Sequence, residues 1–222
     1  QSCHLEGQLR GVLTLGTSGA EVPIDRGERS LQALASIAHS GFVQIMTGRK
    51  DEDIEEYFQE LSERTPGLKG VAVLDNGGDP YFSGGEIRLS PEVAARAVRP
   101  GEPFTVTTDA HSTRVVPLEN EPRCKGCHED DEAMRGAIAV SFAPQEMAGH
   151  ETLRHAVTTS LQHVMLAGLG RLIVSFIDDV RDTGLTTALQ VHEANGRLYH
   201  DAFSVPEAPG IVAETLTKGH AQ

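Results

Sequence analysis

Tryptophan is absent from this 222-residue chain, and aromatic residues make up only 5% of it. Large aromatic side chains normally supply much of the buried area of a domain core. A chain of this length is nevertheless long enough for one full domain and two partial ones. The shortage of large side chains therefore suggests that another bulky apolar group contributes to the core.

Cysteine is also scarce, with Cys3, Cys124 and Cys127 as the complete set. Three cysteines do not provide the paired framework that holds small secreted domains together. We therefore expect a hydrophobic core, not disulfides, to stabilise the fold.

The chain also has no apolar run long enough to cross a bilayer, and no signal peptide is visible.

Basic residues are few: 19 lysines and arginines stand against 32 acidic residues, which gives a formal net charge of −13. This balance argues against nucleic acids, anionic membranes and polyanions as partners. The sequence also lacks a G-x-S-x-G nucleophile motif, a phosphate-binding loop and an H-E-x-x-H zinc motif. It therefore predicts a protein that is not an enzyme.

The most informative motif is Cys124-Lys125-Gly126-Cys127-His128, because C-x-x-C-H is the attachment sequence of c-type haem. The two thiols form thioether bonds to one porphyrin, and the histidine is then the proximal ligand of the iron. A zinc site would need a second Cys/His pair, which this region lacks. A thioredoxin-like redox pair would not require His128. The motif predicts covalent haem c, and covalent attachment outside the cytoplasm predicts a periplasmic or extracellular protein.

An internal repeat of about 120 residues is the second feature. Cys3-His4 and Cys127-His128 are each followed by a polar spacer and then by a strand that opens with Arg-Gly, at Arg10 and Arg135. Cys3 and His4 are thus predicted to attach and ligate a second haem. The predicted divisions are the tail of a first copy in residues 1–25, a complete domain in residues 26–148, and the first half of a further copy in residues 149–222. Because the chain starts and ends within a repeat unit, we expect either a mature or excised segment of a longer tandem array, or a protomer that is offset so that neighbouring chains complete each other's domains.

Periodicity predicts an α+β fold with long N-terminal helices and an antiparallel sheet. Helices are predicted at residues 28–46, 51–64 and from Ser90, and again at residues 151–167 and 171–181. Strands are predicted at residues 70–74, from Tyr81, and at residues 104–108, 113–118, 135–142, 187–192 and 197–202.

The segment from Pro117 to Ser141 resembles the haem-c-binding PAS-like or Cache-like periplasmic sensor domains of bacterial chemoreceptors and sensor kinases. The resemblance rests on Pro117-Leu118-Glu119-Asn120-Glu121-Pro122-Arg123 before the haem motif and on Arg135-Gly136-Ala137-Ile138-Ala139-Val140-Ser141 after it. It implies PAS/Cache-like domains and, in this chain, an apparent tandem arrangement of them.

In that family the distal iron ligand tends to come from the long N-terminal helix and sometimes from a swapped partner, or the distal position is filled by water. His39 lies on the corresponding helix here, 36 residues after Cys3, and His163 lies 36 residues after Cys127. Both are predicted distal ligands, with Met46 as the alternative. Ordinary half-buried or core roles remain open for these three residues.

Two functions follow. The first is a haem-based redox or gas sensor module. The alternative is a multihaem electron-transfer protein built of tandem haem domains. The expected partners are a redox partner or a small gas ligand, together with neighbouring copies of the domain that are tandem, swapped or oligomeric.

Overall fold

The computed structural model describes residues 11–17, 26–122, 124, 132–143, 150–168, 170–184 and 186–203. The chain divides into two compact units. The larger unit comprises Glu21–Thr183, and the smaller unit combines Gln1–Ala20 with Gly184–Gln222.

Eight strands and five α-helices are described. In chain order they are β1 (Gly11–Thr17), α1 (Arg26–Thr47), α2 (Ile54–Arg64), β2 (Leu68–Leu74), β3 (Pro80–Gly85), α3 (Pro91–Ala97), β4 (Phe104–Thr107), β5 (Ser112–Glu119), β6 (Met134–Phe142), α4 (His150–Leu166), α5 (Gly170–Asp182), β7 (Thr186–Glu193) and β8 (Leu198–Asp201). These elements confirm the α+β class, the antiparallel sheet and the long N-terminal helices. The PAS/Cache-like identity stays a prediction.

The segment between α1 and α2 differs from the prediction of one helix starting at residue 51. A short 3-10 helix at Asp51–Asp53 precedes α2, which begins at Ile54. The Asp53 backbone N–H donates to the Lys50 carbonyl, three residues earlier. Asp51, Glu52 and Asp53 of the 3-10 helix lie just before the N-terminus of α2, where the positive end of the helix dipole favours negative charge.

The sheet of the larger unit has the strand order β3-β2-β6-β5-β4, and all neighbouring strands are antiparallel. The central strand β6 pairs on both sides, so that Ile138 faces Val73 of β2 and Val116 of β5. Eight of the nine residues of β6 are buried, as expected for a strand covered on both faces.

The two faces of this sheet have different surroundings. Ala72 and Leu74 of β2 belong to a cluster of small apolar side chains that includes Ala97 of α3. Val73 points to the opposite face, because successive side chains of a strand alternate. That second face packs against the helices and contains the candidate site.

Helix α2 packs closely on the hairpin of β2 and β3. A Cβ atom at Gly84 would collide with the backbone carbonyl of Phe58 in α2. Glycine is therefore required at this position for the observed approach of helix and strand.

Helices α4 and α5 belong to the larger unit, whereas β7 and β8 belong to the smaller one. The predicted assignment of residues 149–222 to one further copy stays a prediction. Within the larger unit, Ser160 of α4 contacts Tyr57 of α2, and Ala167, just after α4, lies against Gly48. In the smaller unit, β1, β7 and β8 form an antiparallel sheet in that order.

Candidate functional site

A cavity of about 450 Å³ lies between α1 and the sheet of the larger unit. Its volume falls within the range of small-molecule and cofactor sites. Residues from α1, β2, β3, β5, β6 and two loops line it: His39, Phe42, Val43, Met46, Thr47, Val73, Tyr81, Phe82, Gly101, Glu102, Pro103, Val116, Pro117, Leu118, Glu119, Glu121, Cys124 and Arg135.

One face of α1 forms the helical wall of the cavity. Phe42 and Val43 lie three and four residues after His39, and Met46 lies four and three residues after them, so the four residues share a face of the helix. His39 and Met46 are both half-buried. The wall therefore offers an imidazole and a thioether, which are the two side-chain donors that most often complete the coordination of haem iron.

The sheet supplies an apolar wall. Val73 of β2 and Val116 and Leu118 of β5 line the cavity, and all three come from the face opposite α3. Tyr81 and Phe82 of β3 add two aromatic rings, whose centroids are 4.5 Å apart in an edge-on arrangement. These side chains suit a ligand with a large apolar surface.

Charged side chains lie among the lining residues as well. Arg135 is the one lysine or arginine among the described residues that line the cavity, and its side chain is only 13% exposed. Its Nη1 lies 3.9 Å from the carboxylate of Glu132. Glu102, Glu119 and Glu121 also contribute to the lining. The cavity thus combines apolar walls with one fixed cation.

Cys124 is half-buried and lines the same cavity. Its backbone N–H donates a hydrogen bond to the Glu121 carbonyl at 2.8 Å, and the residue forms no disulfide. The structure therefore brings together three of the residues singled out in the sequence: Cys124, His39 and Met46. The other attachment residues, Cys127, His128, Cys3 and His4, lie outside the described residues.

His163 has different surroundings from His39, although the sequence assigned both the same role. It is 5% exposed, its Nε2 lies 3.3 Å from a carboxylate oxygen of Glu60, and its ring centroid is 5.3 Å from that of Tyr57. It does not appear among the described residues that line the cavity. His163 thus packs at the contact between α2 and α4, and its role as a distal ligand stays a prediction.

Tyr57 is fully buried beside His163, and its hydroxyl is joined to that of Ser160 by a hydrogen bond of 2.8 Å. Burial raises the pKa of Tyr57 well above its usual value, and the hydrogen bond to Ser160 only partly opposes that shift. The phenol is consequently neutral, and this contact between α2 and α4 carries no charge from Tyr57.

Two further observations limit the site. Within the described ranges, no group of three or more His, Cys, Asp and Glu side chains is placed to hold a metal ion. None of the described helices is long and apolar enough to span a membrane.

Sequence reasoning missed most of the cavity wall. The sequence placed Arg135 at the start of a strand, but it assigned neither Arg135 nor Phe42 a role at a site. The contributions of β5 and of Gly101, Glu102 and Pro103 depend on contacts between segments distant in the chain. The C-x-x-C-H motif and the assignment of His39 and Met46 to the long helix were the signals that identified residues of the cavity wall.

Residues 36–143 match a family model described as the sensor of a methyl-accepting chemotaxis sensory transducer, class 40H. The match covers just under half of the chain and contains every residue named above as lining the cavity. This part of the chain is similar to a chemoreceptor sensor domain. The finding supports the resemblance to chemoreceptor sensors, and it does not address haem attachment or the repeat.

No curated protein and no solved structure matches the chain.

Proposed function

We propose that the cavity binds haem c, attached through Cys124 and Cys127 with His128 as the proximal ligand, and that residues 26–143 form an extracytoplasmic haem-based sensor module. The observation that carries this proposal is the position of Cys124. The first thiol of the C-x-x-C-H motif lines a cavity large enough for a cofactor, and a histidine lies on the wall of that cavity.

The side chains present suit this group. His39 would be the distal ligand, and Met46, about two turns further along the same face of α1, is the alternative. The apolar walls formed by Val73, Val116 and Leu118 would exclude water from the porphyrin. Arg135 would bind a propionate, because guanidinium groups bind carboxylates with paired hydrogen bonds.

Bound haem would supply an iron centre whose axial coordination responds to redox state or to a small gas. The chain's own contribution to sensing would lie in α1. Its cavity face carries His39, while Ser40 and Gln44 donate hydrogen bonds to Asp179 of α5 at 2.5 and 3.4 Å. A displacement of α1 at the cavity would therefore strain these bonds, so that α1 couples ligation to the packing of α5.

The match to a chemoreceptor sensor favours sensing over catalysis. The proposed location is periplasmic or extracellular, where covalent haem is attached, and the proposed partners are a small gas or a redox protein. Electron transfer between several haems is the alternative. Cys3-His4 favours it, because a second attachment sequence would place a further haem in the chain.

The test is the visible absorption spectrum of the chain, purified from a host that attaches haem c, when oxidised, when reduced with dithionite, and after carbon monoxide is added. A sensor predicts a reduced spectrum that carbon monoxide shifts, because the distal ligand is displaced. Sharp reduced bands that carbon monoxide leaves unchanged would favour electron transfer. Protein that carries no haem would overturn the proposal.

Variants assign the distal ligand. His39→Ala is expected to give a high-spin spectrum, and Met46→Leu is expected to leave the spectrum unchanged. His155→Ala is the matched control, because His155 is a partly exposed histidine of α4 whose Nε2 lies 3.6 Å from a Glu151 carboxylate oxygen. The reverse result for His39 and Met46 would make the methionine the ligand.

A further inference from the structure

The three-stranded sheet of the smaller unit matches three neighbouring strands of the larger sheet. The smaller unit has the order β1-β7-β8, and part of the larger sheet has the order β6-β2-β3, with antiparallel pairing throughout. Strand β7 contains the residues that lie 118 positions after those of β2, and β8 begins 118 positions after the start of β3. Strand β1 contains the residues that lie 125 positions before those of β6.

The pairing register is the same in both sheets. Val73 faces Ile138 in the larger unit, and Val191 and Leu13, at the shifted positions, face each other in the smaller unit. Six of the seven residue pairs between β1 and β7 correspond in this way to the six pairs between β6 and β2. A register shift of one residue would turn every side chain of a strand to the other face of its sheet. Because the register is the same, corresponding residues lie on corresponding faces of the two sheets.

The irregularities correspond as well. The ladder between β2 and β6 skips Lys69, and the ladder between β7 and β1 skips Thr187, 118 residues later. A second shift lies between Val73 and Leu74 in one hairpin and between Val191 and His192 in the other. Bulges are local features of a particular fold, so their coincidence is stronger support for a repeat than the strand order alone.

The hairpin turns have the same geometry. Gly78 has a φ of +87° and donates its N–H to the Asp75 carbonyl at 3.0 Å. Gly196 has a φ of +83° and donates its N–H to the Glu193 carbonyl at 2.9 Å. Both turns depend on glycine because few other residues adopt a positive φ.

We infer that the smaller unit is a second copy of the ligand-binding domain, assembled from both ends of the chain, and that its sheet presents a second haem site. This inference rests on the proposed function of the cavity. The sheet positions that line the cavity in the larger unit have counterparts in the smaller one. Val73, Tyr81 and Phe82 correspond to Val191, Tyr199 and His200.

Two of the three counterparts keep the residue type found in the larger unit. Val191 is 9% exposed, and Tyr199 keeps a large exposed aromatic ring, as Tyr81 does. The one change of chemistry is His200 in the place of Phe82, which puts a half-buried imidazole where the larger unit has a phenyl ring. An imidazole on the wall of a haem site is a ligand for iron.

The sequence before β1 agrees with this assignment. Cys3-His4 precedes Arg10 by nearly the same interval as Cys127-His128 precedes Arg135. The proposed second site therefore combines an attachment sequence with the sheet positions that correspond to the wall of the first cavity. It would differ from the first site because His200 of the hairpin would be an axial ligand.

The test is the number of haems bound by the full chain, produced in a host that attaches haem c. The pyridine haemochrome spectrum gives haem per chain, and mass spectrometry of proteolytic peptides locates each one. We expect two haems per chain, one on the Cys124–Cys127 peptide and one on the Cys3 peptide. One haem on the first peptide, with unmodified Cys3 and no uptake of added hemin, would overturn the inference alone. Absence of haem from both peptides would overturn the proposed function as well.

His200→Gln provides a second readout, with His155→Gln as its matched control. The first variant is expected to change the low-temperature electron paramagnetic resonance signal of one haem and to leave the other unchanged. The control is expected to leave both signals unchanged. If His200→Gln also left both unchanged, His200 would not be an axial ligand.

Discussion

The hydroxyl groups of Tyr57 and Ser160 lie 2.8 Å apart and join α2 to α4 through a hydrogen bond. Both side chains are completely buried. The Tyr57 hydroxyl also has the Ala38 carbonyl as an acceptor, at 3.5 Å. No water reaches the Ser160 hydroxyl, and an unpaired buried hydroxyl costs free energy.

Tyr57→Phe is expected to lower the free energy of unfolding by about 1–2 kcal/mol, because it leaves the buried Ser160 hydroxyl without this bond. Urea denaturation measures the change. Tyr81→Phe is the matched control, since Tyr81 is 70% exposed and its hydroxyl is available to water. Equal stability of the two variants would contradict the proposed contribution of the bond.

Stability is also expected to fall at high pH because of Tyr57. Burial raises the pKa of this phenol above its ordinary value of 10.0, so the phenol ionises more readily in the unfolded chain than in the folded one. Its contribution is therefore fully present below pH 10 and is lost as the pH rises above 10. Urea denaturation from pH 8 to 11.5 should show a smaller decline for Tyr57→Phe than for the unaltered chain. Parallel declines would show that Tyr57 does not titrate in this way.

Gly84→Ala is expected to destabilise the larger unit by about 1–3 kcal/mol, the usual cost of overpacking. The added methyl group would collide with the Phe58 carbonyl, and neither backbone can move without separating α2 from β3. Gly77→Ala is the control, because the nearest atom to its added methyl group is the flexible Asp75 carboxylate, 3.1 Å away. Thermal unfolding of both variants measures the difference, and an unchanged midpoint for Gly84→Ala would show that this close approach is absent.

Asp179→Ala is expected to loosen the contact of α5 with α1. The Asp179 carboxylate accepts hydrogen bonds from Ser40 and Gln44, both only 3% exposed, and the substitution would leave the Ser40 hydroxyl without this acceptor. We expect a loss of about 1–3 kcal/mol, measured by urea denaturation. Asp182→Ala should cost little, because Asp182 forms an exposed ion pair with Arg181. A larger loss in Asp182→Ala than in Asp179→Ala would refute this account.

Helices and hairpins were predictable from the sequence because their patterns are local. The apolar spacing of α1 places its ends within two residues of the observed ones, Arg26 and Thr47. Ser90 caps α3 as expected, by accepting a hydrogen bond from the Val93 N–H.

The packing of α4 and the composition of the cavity were not predictable in this way. Equal spacing from Cys3 and Cys127 made His39 and His163 look equivalent. Their surroundings differ because His39 lies opposite the sheet, whereas His163 lies against Tyr57 and Glu60. Equal spacing gives the two histidines equivalent positions in the predicted repeat. It does not determine their neighbours, because these depend on which elements pack beside each helix.

The pairing of β1 with β7 also bears on the order of events during synthesis. Residues 26–182 can form their helices and five-stranded sheet from contacts within one continuous segment. Strand β1 leaves the ribosome before this segment, yet its partner Thr186–Glu193 follows almost the whole length of it. Because contacts between distant residues form slowly, a strand that is made before the larger sheet is paired only after that sheet can form.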